Sequence, residues 1–377
     1  MTLSENVYQY IKEHAEEAFS LLTKLARIPA PSHHEEKRVA FCLNWLKEQG
    51  AQNAYIDDAQ NVILPIGSTD DNDLIVFMAH SDVVFPDTTP LPLSVSDGKV
   101  YCPGVGDDTA NVVALLMAAK YILEHDLQPK DCGILLVVNS CEEGLGNLKG
   151  CRKIMDSFGH RVREFVTFDA GVFTVINEAV GSRRYRVEIH TEGGHSYSAF
   201  GNRNAIACLA ELVCDLYAVS VPPIGKTTYN VGSISGGTSV NTIAQQAQIL
   251  YEFRSDKREA LEIMEENFRS ILQKHRETGL DITVTSVGDR PCSGDVDADA
   301  KHRLSRRAAD AVAHNFGREA RYGAGSTDCN IPLSMGIPAI CVGCADGAGA
   351  HTREEFVYID SLEPGLGLAF ELILHHF

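Results

Sequence analysis

The stretch Leu74-Ile-Val-Phe-Met-Ala-His-Ser-Asp82 carries a short apolar run directly into a histidine and a carboxylate. Short apolar runs of this kind are typical of buried strands in parallel sheets. Two more follow, at Gly133 to Val138 and Phe165 to Phe168, and the residues from Ala110 to His125 have a helical pattern. This alternation of strands and helices predicts an α/β fold with a mostly parallel sheet.

The residues ahead of this stretch are predicted to be helical. Tyr8 to Leu25 has the apolar spacing of an amphipathic helix. Ser32-His-His-Glu35 has the form of a capping box, which predicts the start of a second helix that runs to about Gln49.

A different pattern occupies the middle of the chain, from about Val180 to Pro291. Its predicted elements follow the order β-α-β-β-α-β, which describes a ferredoxin-like sandwich. They are Arg184 to Ile189, Asn204 to Tyr217, Thr228 to Ile234, Ala247 to Phe253, Arg258 to His275 and Asp281 to Val287. The α/β pattern then resumes with a helix around Ala300 to Asn315, the apolar run Pro338 to Val342 and a C-terminal helix. We therefore expect a larger domain, residues 1–180 and 292–377, interrupted by an inserted domain, residues 181–291.

The whole chain has the composition of a globular protein of two domains, with 377 residues of which 44% are hydrophobic and 22% charged. Its formal net charge of −18 argues against nucleic acid or an anionic membrane as a partner, because both require a basic surface. An acidic surface can serve solubility alone, or some of the carboxylates can gather around cations.

The sequence predicts a cytoplasmic location. Its longest apolar run, Gly133 to Val138, is far shorter than the roughly 20 residues of a membrane span. The first residues, Met1-Thr-Leu-Ser-Glu-Asn6, do not have the basic and apolar regions of a signal peptide. Eleven cysteines, an odd number without zinc-finger or CxxC spacing, fit free thiols in a reducing compartment better than a disulfide framework.

Histidines and carboxylates follow the predicted strands at the points where the strands end. The carboxyl ends of parallel strands meet at one edge of a sheet, where the functional groups of open α/β folds collect. Nitrogen and oxygen donors without cysteine suit zinc, with manganese and cobalt as alternatives. Separate segments each deliver one candidate metal ligand to this edge: His80, Asp107, Glu143, Asp169 and His351.

Each of these residues also has an ordinary structural interpretation. His80 could be a hydrogen-bonded core histidine, Asp107-Asp108 could cap the following helix, and Asp169 could be a turn residue. The pair Glu142-Glu143 could be a solvated face, although adjacent charges at the end of an apolar strand need compensation, which cations supply. The convergence of separate segments on one edge favours a metal site over these individual interpretations.

The motifs that carry these residues resemble those of the co-catalytic zinc hydrolases, a family that includes peptidase T, carboxypeptidase G and acetylornithine deacetylase. The resemblance covers nearly the whole chain in the order of the family, and it is strongest to the peptidase T branch. It rests on His80-Ser-Asp82, Asp97-Gly98, Gly104-Val-Gly-Asp-Asp108, Glu142-Glu143, Phe168-Asp169, Gly193-Gly-His-Ser196, Gly325-Ser-Thr-Asp328 and the loop around His351.

The resemblance implies a role for each candidate metal ligand. Asp107 would bridge two divalent metal ions. His80 and Asp169 would complete one site, and Glu143 and His351 the other.

Further roles come from the same resemblance. Asp82 would hold the far ring nitrogen of His80, and Glu142 would be the general base. His195, in the inserted domain, would reach the active site of a neighbouring subunit of a homodimer and polarise the scissile carbonyl. The inserted domain would then act as a lid and dimerisation domain.

One position departs from the family pattern. Many relatives carry Lys-Gly after the two acids of the bridging motif, whereas this chain has Thr109-Ala110. No role of that lysine carries over to this chain, while the ligand position itself is intact.

The function implied by the resemblance is a metal-dependent exopeptidase of the aminopeptidase, dipeptidase or tripeptidase type. Two ions sharing a water would lower its pKa to roughly 7, and Glu142 would take its proton to leave a metal-bridged hydroxide. Asp169, rather than a glutamate, looks like the aminopeptidase and dipeptidase members, and Asn241 and Arg254 match positions that contact substrate. An N-acyl amino acid deacylase on the same scaffold is the alternative. A catalytically silent binding protein is a third hypothesis, against which stands the presence of Glu142 and every ligand.

Overall fold

A computed structural model describes residues 2–68 and 73–377 of the chain. They divide into two compact units. The larger unit consists of the residues up to Ala179 together with Gly294–Phe377, and the inserted unit is Val180–Ser293.

The described residues contain α-helices from close to the N-terminus to close to the C-terminus. No helix within residues 2–68 and 73–377 combines the length and the apolar composition needed to cross a membrane. A short helical segment, Val105–Ala110, leads directly into α4. The α-helices are α1 (Glu5–Glu13), α2 (Ala15–Ala26), α3 (Glu36–Glu48), α4 (Asn111–Glu124), α5 (Lys149–Phe158), α6 (Ala205–Tyr217), α7 (Arg258–Glu277), α8 (Ala298–Phe316), α9 (Asn330–Ser334) and α10 (Leu362–Leu374).

Strands alternate with these helices along most of the described chain. They are β1 (Tyr55–Ile56), β2 (Val62–Ile66), β3 (Leu74–His80), β4 (Ser94–Ser96), β5 (Lys99–Tyr101), β6 (Gly133–Asn139), β7 (Val162–Thr167), β8 (Thr174–Ala179), β9 (Gly181–His190), β10 (Gly194–His195), β11 (Thr227–Gly236), β12 (Thr242–Ile243), β13 (Gln246–Ser255), β14 (Asp281–Arg290), β15 (Arg321–Gly325), β16 (Ala339–Cys341), β17 (Gly347–Ala348) and β18 (Phe356–Tyr358).

The described residues of the larger unit form an eight-stranded sheet in the order β1-β2-β6-β3-β7-β16-β8-β15. At its centre β3 runs parallel to both β6 and β7, and β16 runs parallel to β7. Within this sheet, antiparallel pairing of the described strands is confined to β1 with β2, β2 with β6 and a single β16–β8 pair. The α/β fold class predicted from the apolar runs is confirmed.

Helices cover both faces of this sheet, and the central strand β3 shows why its sequence is a continuous apolar run. Successive side chains of a strand point to opposite faces. Ile75, Phe77 and Ala79 enter a core shared with α4 and α10, whereas Val76 and Met78 enter a second core shared with α5 and α9. Every residue of β3 is therefore buried, including the final histidine.

A second sheet of the larger unit connects two distant parts of the chain. Its described strands lie in the order β17-β18-β5-β4 and pair antiparallel. In this sheet Phe356 of β18 pairs with Tyr101 of β5. The residues just before β18 are therefore close to those just after β5.

The inserted unit is a ferredoxin-like sandwich, as its pattern predicts. Its described four-stranded sheet has the antiparallel order β11-β13-β9-β14. Helices α6 and α7 pack on one face through residues such as Leu212 and Phe268. The first and last strands are neighbours, with Ser182 of β9 paired to Arg290 of β14. A short ribbon, β10 paired with β12, stands apart from this sheet in the pairing order.

Two predictions near the N-terminus are wrong. The single helix predicted from Tyr8 to Leu25 is two helices, α1 and α2, which meet at His14. The capping box at Ser32 and Glu35 does not form, because both side chains have partners elsewhere in the fold. The Ser32 hydroxyl donates to Asp82, and the Glu35 carboxylate accepts from the main-chain N–H of Cys141.

Candidate metal centre

Neighbouring parallel strands end at one edge of the large sheet and deliver polar side chains there. β3 ends on His80, which is in register with Asn139 at the end of β6. Glu142-Glu143 follows β6, and Asp169 follows β7. Residues that are far apart in sequence thereby come together at one edge, as the strand pattern predicts.

Asp82 organises the ends of β3 and β6. Its buried carboxylate accepts hydrogen bonds from the main-chain N–H groups of Glu142 (N to Oδ1, 2.9 Å) and Glu143 (N to Oδ2, 3.0 Å). The Nδ1 atom of His80 lies 3.4 Å from Oδ1 of Asp82 and 3.0 Å from its main-chain oxygen. A neutral His80 that donates its Nδ1 proton to Asp82 presents Nε2 as a lone-pair donor, the form that binds a metal.

The carboxylate of Asp107 lies between two histidines. Its Oδ1 is 3.1 Å from Nε2 of His80, and its Oδ2 is 3.1 Å from Nε2 of His351. The same nitrogen of His351 is 3.1 Å from Oε1 of Glu143. Each oxygen of Asp107 therefore faces a different histidine, an arrangement suited to a carboxylate that bridges two cations.

Candidate ligand atoms within 4.8 Å of one another form overlapping groups at this edge. His80, Asp107 and Glu143 each belong to two of the groups, so every pair of groups shares one residue. The five ligands predicted from the sequence are all included. The groups are His80, Asp107, Asp108 and Asp169; Asp107, Glu143 and His351; and His80, Glu142 and Glu143.

Negative charge is concentrated in this buried environment. Burial raises the pKa of Glu143 to about 7 and that of Asp169 to about 6, and the charge of Asp107 adds to both shifts. Burial also raises the pKa of Asp108 well above its usual value. These carboxylates therefore need nearby positive charge in order to be stable as anions.

The two histidines respond to these carboxylates. The pKa of His351 rises to about 10 because its ring contacts Asp107 and Glu143. Burial alone would lower the pKa of His80, but the charge of Asp108 and the hydrogen bonds to Asp107 and Asp82 raise it well above its usual value. Both shifts favour the protonated, positively charged form of the ring beside these carboxylates.

The donor chemistry of the edge fits divalent metal ions. Buried carboxylates are stable as anions only with compensating charge or hydrogen bonds. Here the Nε2 atoms of two imidazoles and several carboxylates point at one another around Asp107. Imidazole and carboxylate together are the donors that zinc, manganese and cobalt accept.

A model of peptidase family M20/M25/M40 matches residues 76–375 of the chain. The matched range includes His80, Asp107, Glu143, Asp169 and His351. The chain belongs to this family. It is a hydrolase of peptide or amide bonds, as predicted, and its family binds divalent metal ions.

Two curated relatives are similar over most of the chain. Protein YqjE of Bacillus subtilis is 24% identical over 335 residues, which cover 84% of this chain and 85% of the relative. Succinyl-diaminopimelate desuccinylase of Corynebacterium glutamicum is 24% identical over 363 residues, which cover 89% of this chain and 90% of the relative. The likeness is therefore not confined to one of the two units.

Solved structures of the family share the fold. The aminopeptidase PepT from Bacillus cereus superposes with a TM-score of 0.71 at 22% identity, covering 95% of this chain and 98% of that one. A tripeptidase from Staphylococcus aureus superposes with a TM-score of 0.75 at 21% identity, covering 95% and 97%. These likenesses support the α/β fold with its inserted unit.

Within the inserted unit of this M20-family chain, His195 and Asn241 lie on neighbouring segments. His195 ends β10 in register with Thr242, and the main-chain oxygen of Asn241 accepts a hydrogen bond from Ser196 at 3.0 Å. The ring Nδ1 of His195 accepts a hydrogen bond from the N–H of Tyr197 at 3.2 Å. A neutral ring held in this way carries its proton on Nε2, and the side chain is exposed.

Arg254, on β13 of the same unit, already has a carboxylate partner. Its guanidinium forks onto the two oxygens of Glu252, at 2.9 and 3.0 Å. Arg184 donates to the same glutamate at 3.2 Å, and its pKa is lowered by burial and by the nearby charges of Arg290 and Arg254. The guanidinium groups clustered here suit an anionic group.

Sequence reasoning misses Arg38 of α3, whose side chain contacts the segments that carry His80 and Asp107. The side chain is fully buried, and burial lowers its pKa to about 10, so it remains charged at neutral pH. Nη1 donates to the main-chain oxygen of Ser81 at 3.0 Å and to Thr109 Oγ1 at 3.3 Å, and Nη2 to the oxygen of Ile28 at 2.7 Å. In the sequence it follows Lys37 and has the pattern of a polar helix face, so its burial has no clear signal.

Thr109 occupies the position where the chain departs from the Lys-Gly pattern of many relatives. Its hydroxyl donates to the main-chain oxygen of Gly104 at 2.5 Å and accepts from Arg38. The side chain at this position therefore stabilises the segment that carries Asp107.

Proposed function

We propose that this chain is a metal-dependent exopeptidase of short peptides whose centre holds two divalent ions, zinc by preference and manganese or cobalt as alternatives. The observation that carries the proposal is the division of the Asp107 carboxylate between His80 and His351. Asp169 would complete the His80 site, and Glu143 the His351 site. Bound ions would supply Lewis acidity and lower the pKa of a water to roughly 7.

Glu142 is our candidate general base. It is buried, and its main-chain N–H is fixed by Asp82, which also fixes the next residue. In the proposed reaction its carboxylate takes a proton from the attacking water and gives it to the departing amine. That role requires Glu142 to stay off the ions, and the contact of Glu143 with His351 supports the assignment of Glu143 as the ligand.

His195 is proposed to stabilise the oxygen of the scissile carbonyl from a neighbouring subunit of a homodimer. Its Nδ1 accepts from the N–H of Tyr197, so the neutral ring has its donor at Nε2. A donor aimed at the developing oxyanion is among the strongest contributions to amide hydrolysis. The exposure of His195 in the inserted unit is consistent with a partner outside its own unit.

Two features favour peptides with free ends as substrates. The acidic edge around Asp169 favours the ammonium group of a free amino end. The arginine cluster at Arg254 suits the carboxylate at the other end, with Asn241 available to a carbonyl group, although a substrate carboxylate must displace Glu252 from Arg254.

An N-acyl amino acid deacylase is the second candidate. It is favoured by the similarity over most of the chain to a succinyl-diaminopimelate desuccinylase. Such an enzyme would act on a blocked amine, so the two candidates differ in their response to N-acylation.

The test compares kcat/KM for a free tripeptide, its N-acetylated form and its C-terminal amide, on protein of measured metal content. Blocking the amino end should cost about 2 kcal/mol or more of transition-state stabilisation, the scale of a lost buried charge contact. Amidation of the carboxyl end should also lower kcat/KM, and Arg254→Gln should remove most of that difference. Preference for the N-acetylated substrate would replace the peptidase with the deacylase.

A further inference from the structure

Glu355 is a buried carboxylate in the larger unit with main-chain partners in the segment that carries Asp107. Its Oε2 accepts a hydrogen bond from the N–H of Gly104 at 2.7 Å. Its Oε1 accepts two more, from Gly106 and Asp107, each at 2.8 Å. Only 2% of the residue is exposed, so these bonds form away from water.

The segment before α4 is shaped to receive this carboxylate. Gly104 has a φ of +77°, a left-handed conformation that lets nearby N–H groups converge. Converging main-chain N–H groups bind anions, and hydrogen bonds to an ionised acceptor are short and strong. A Cβ atom added at Gly106 would lie 3.2 Å from Oε1 of Glu355 and 3.2 Å from Cγ1 of Val357. The segment and the carboxylate are therefore closely fitted to each other.

Glu355 also fixes the segment that carries His351, four residues earlier in the chain. The His351 side chain is 57% exposed and its φ is +65°, so its own packing does little to hold it. The main-chain oxygen of Glu355 accepts from the N–H of Cys102 at 3.2 Å, and β18 begins at the next residue. One residue thus joins the His351 segment to the Asp107 segment through both its main chain and its side chain.

A second contact holds the same loop at the surface. Arg353 forks onto Asp87, with one Nη1–Oδ1 distance of 3.0 Å and one Nη2–Oδ2 distance of 2.6 Å, and stacks over Phe85. This pair is exposed and does not touch the Asp107 segment in any described contact. It provides a matched comparison for Glu355.

We propose that Glu355 is a positioning residue that sets the alignment of Asp107 with His351 and thereby the affinity of the centre for divalent metal. The inference rests on the proposed function, in which Asp107 and His351 both hold metal. Glu355 would keep the Asp107 segment and the His351 segment aligned with each other. The contact between Asp107 Oδ2 and His351 Nε2 joins the same two segments.

The test measures Zn²⁺ affinity by competition with a chromophoric chelator, on wild type, Glu355→Gln and Asp87→Asn. In Glu355→Gln an amide N–H replaces an acceptor oxygen and faces main-chain N–H donors. We expect its affinity to fall about 10- to 100-fold, the usual effect of removing a partner that orients metal ligands. Asp87→Asn should change affinity less than about fivefold, the scale of an exposed ion pair.

A purely structural role is separated from positioning by measuring only folded protein. Circular dichroism of the metal-free variants establishes that they are folded at the titration temperature. The Co²⁺ absorption spectrum reports the geometry of the metal ligands. If Glu355 positions Asp107 and His351, this spectrum should change in the variants. Gly106→Ala provides the second variant, because its methyl group should displace the carboxylate and weaken Zn²⁺ binding even if Glu355→Gln does not fold. Wild type that binds no Zn²⁺ would contradict the proposed metal centre itself. Wild type that binds while the folded variants match its affinity and Co²⁺ spectrum would overturn the inference about Glu355 alone.

Discussion

At the scale of single residues, we propose different roles for two adjacent glutamates of the candidate metal centre. Glu142 and Glu143 receive the same support, since the Asp82 carboxylate holds both of their main-chain N–H groups. Oε1 of Glu143 contacts His351. In our proposal Glu143 binds metal and Glu142 acts as the general base.

Substitution of the two glutamates should separate these roles. Glu142→Gln should lower kcat about 10²- to 10⁴-fold, the usual contribution of a general base, while the metal content remains at the wild-type level. Glu143→Gln should instead lower the metal content, because a ligand is lost. Elemental analysis and turnover measured on the same preparations check both outcomes. Near-normal turnover in Glu142→Gln would remove it from the proposed mechanism.

The raised pKa values at the centre predict that metal binding releases protons. In the metal-free protein the pKa is about 6 for Asp169, about 7 for Glu143 and about 10 for His351, and that of His80 is also raised. Metal ligands must be deprotonated, so these protons leave when metal binds, and affinity should rise as the pH increases through 6 to 10. Near pH 7 we expect release of about two or more protons per chain.

Calorimetric titration of Zn²⁺ in buffers with different ionisation enthalpies measures this release directly. The control is the His351→Ala variant, which should release fewer protons because its group with a pKa of about 10 is absent. A proton count near zero, or affinity that falls as pH rises toward 8, would contradict the assigned ligands.

At the scale of elements, the buried strands were predictable from sequence and the start of α3 was not. The run that forms β3 is apolar throughout because both faces of the strand are buried, and that requirement is visible in the residues themselves. The capping box at Ser32 was a local pattern whose side chains bind distant partners instead. Tertiary contacts of this kind override local propensity, and a short motif does not reveal them.

The same contrast applies to the candidate site. His80 is the last residue of a strand, and Glu143 and Asp169 come shortly after strands, so the strand pattern alone brings them to one edge of the sheet. Arg38 and Glu355 act through main-chain groups of other segments, and any loop sequence offers the same N–H and C=O groups. The partners of such residues therefore cannot be read from residue types, and only the folded chain identifies them.

At the scale of the whole molecule, the proposed contribution of His195 from a partner subunit is tested by mixing variants. Glu142→Gln and His195→Ala are each expected to be nearly inactive. After exchange of subunits, one of the two sites in each heterodimer would have both Glu142 and His195. Random pairing should then restore roughly a quarter of wild-type activity.

The measurement is activity after exchange, with exchange verified by mass spectrometry of differently tagged subunits. A mixture of Glu142→Gln with Glu143→Gln is the control, because both changes lie in the same larger unit and no heterodimer site would be intact. Verified exchange without recovery would mean that His195 acts within its own chain or takes no part.

The pairing of the first and last strands of the inserted unit has a consequence for how the chain can be rearranged. Because Ser182 and Arg290 are neighbours in one sheet, the unit leaves and rejoins the rest of the polypeptide at adjacent points. It also has a hydrophobic core of its own. A unit with adjacent ends and its own core can be exchanged for a related domain or replaced by a short linker, because the flanking sequence stays continuous.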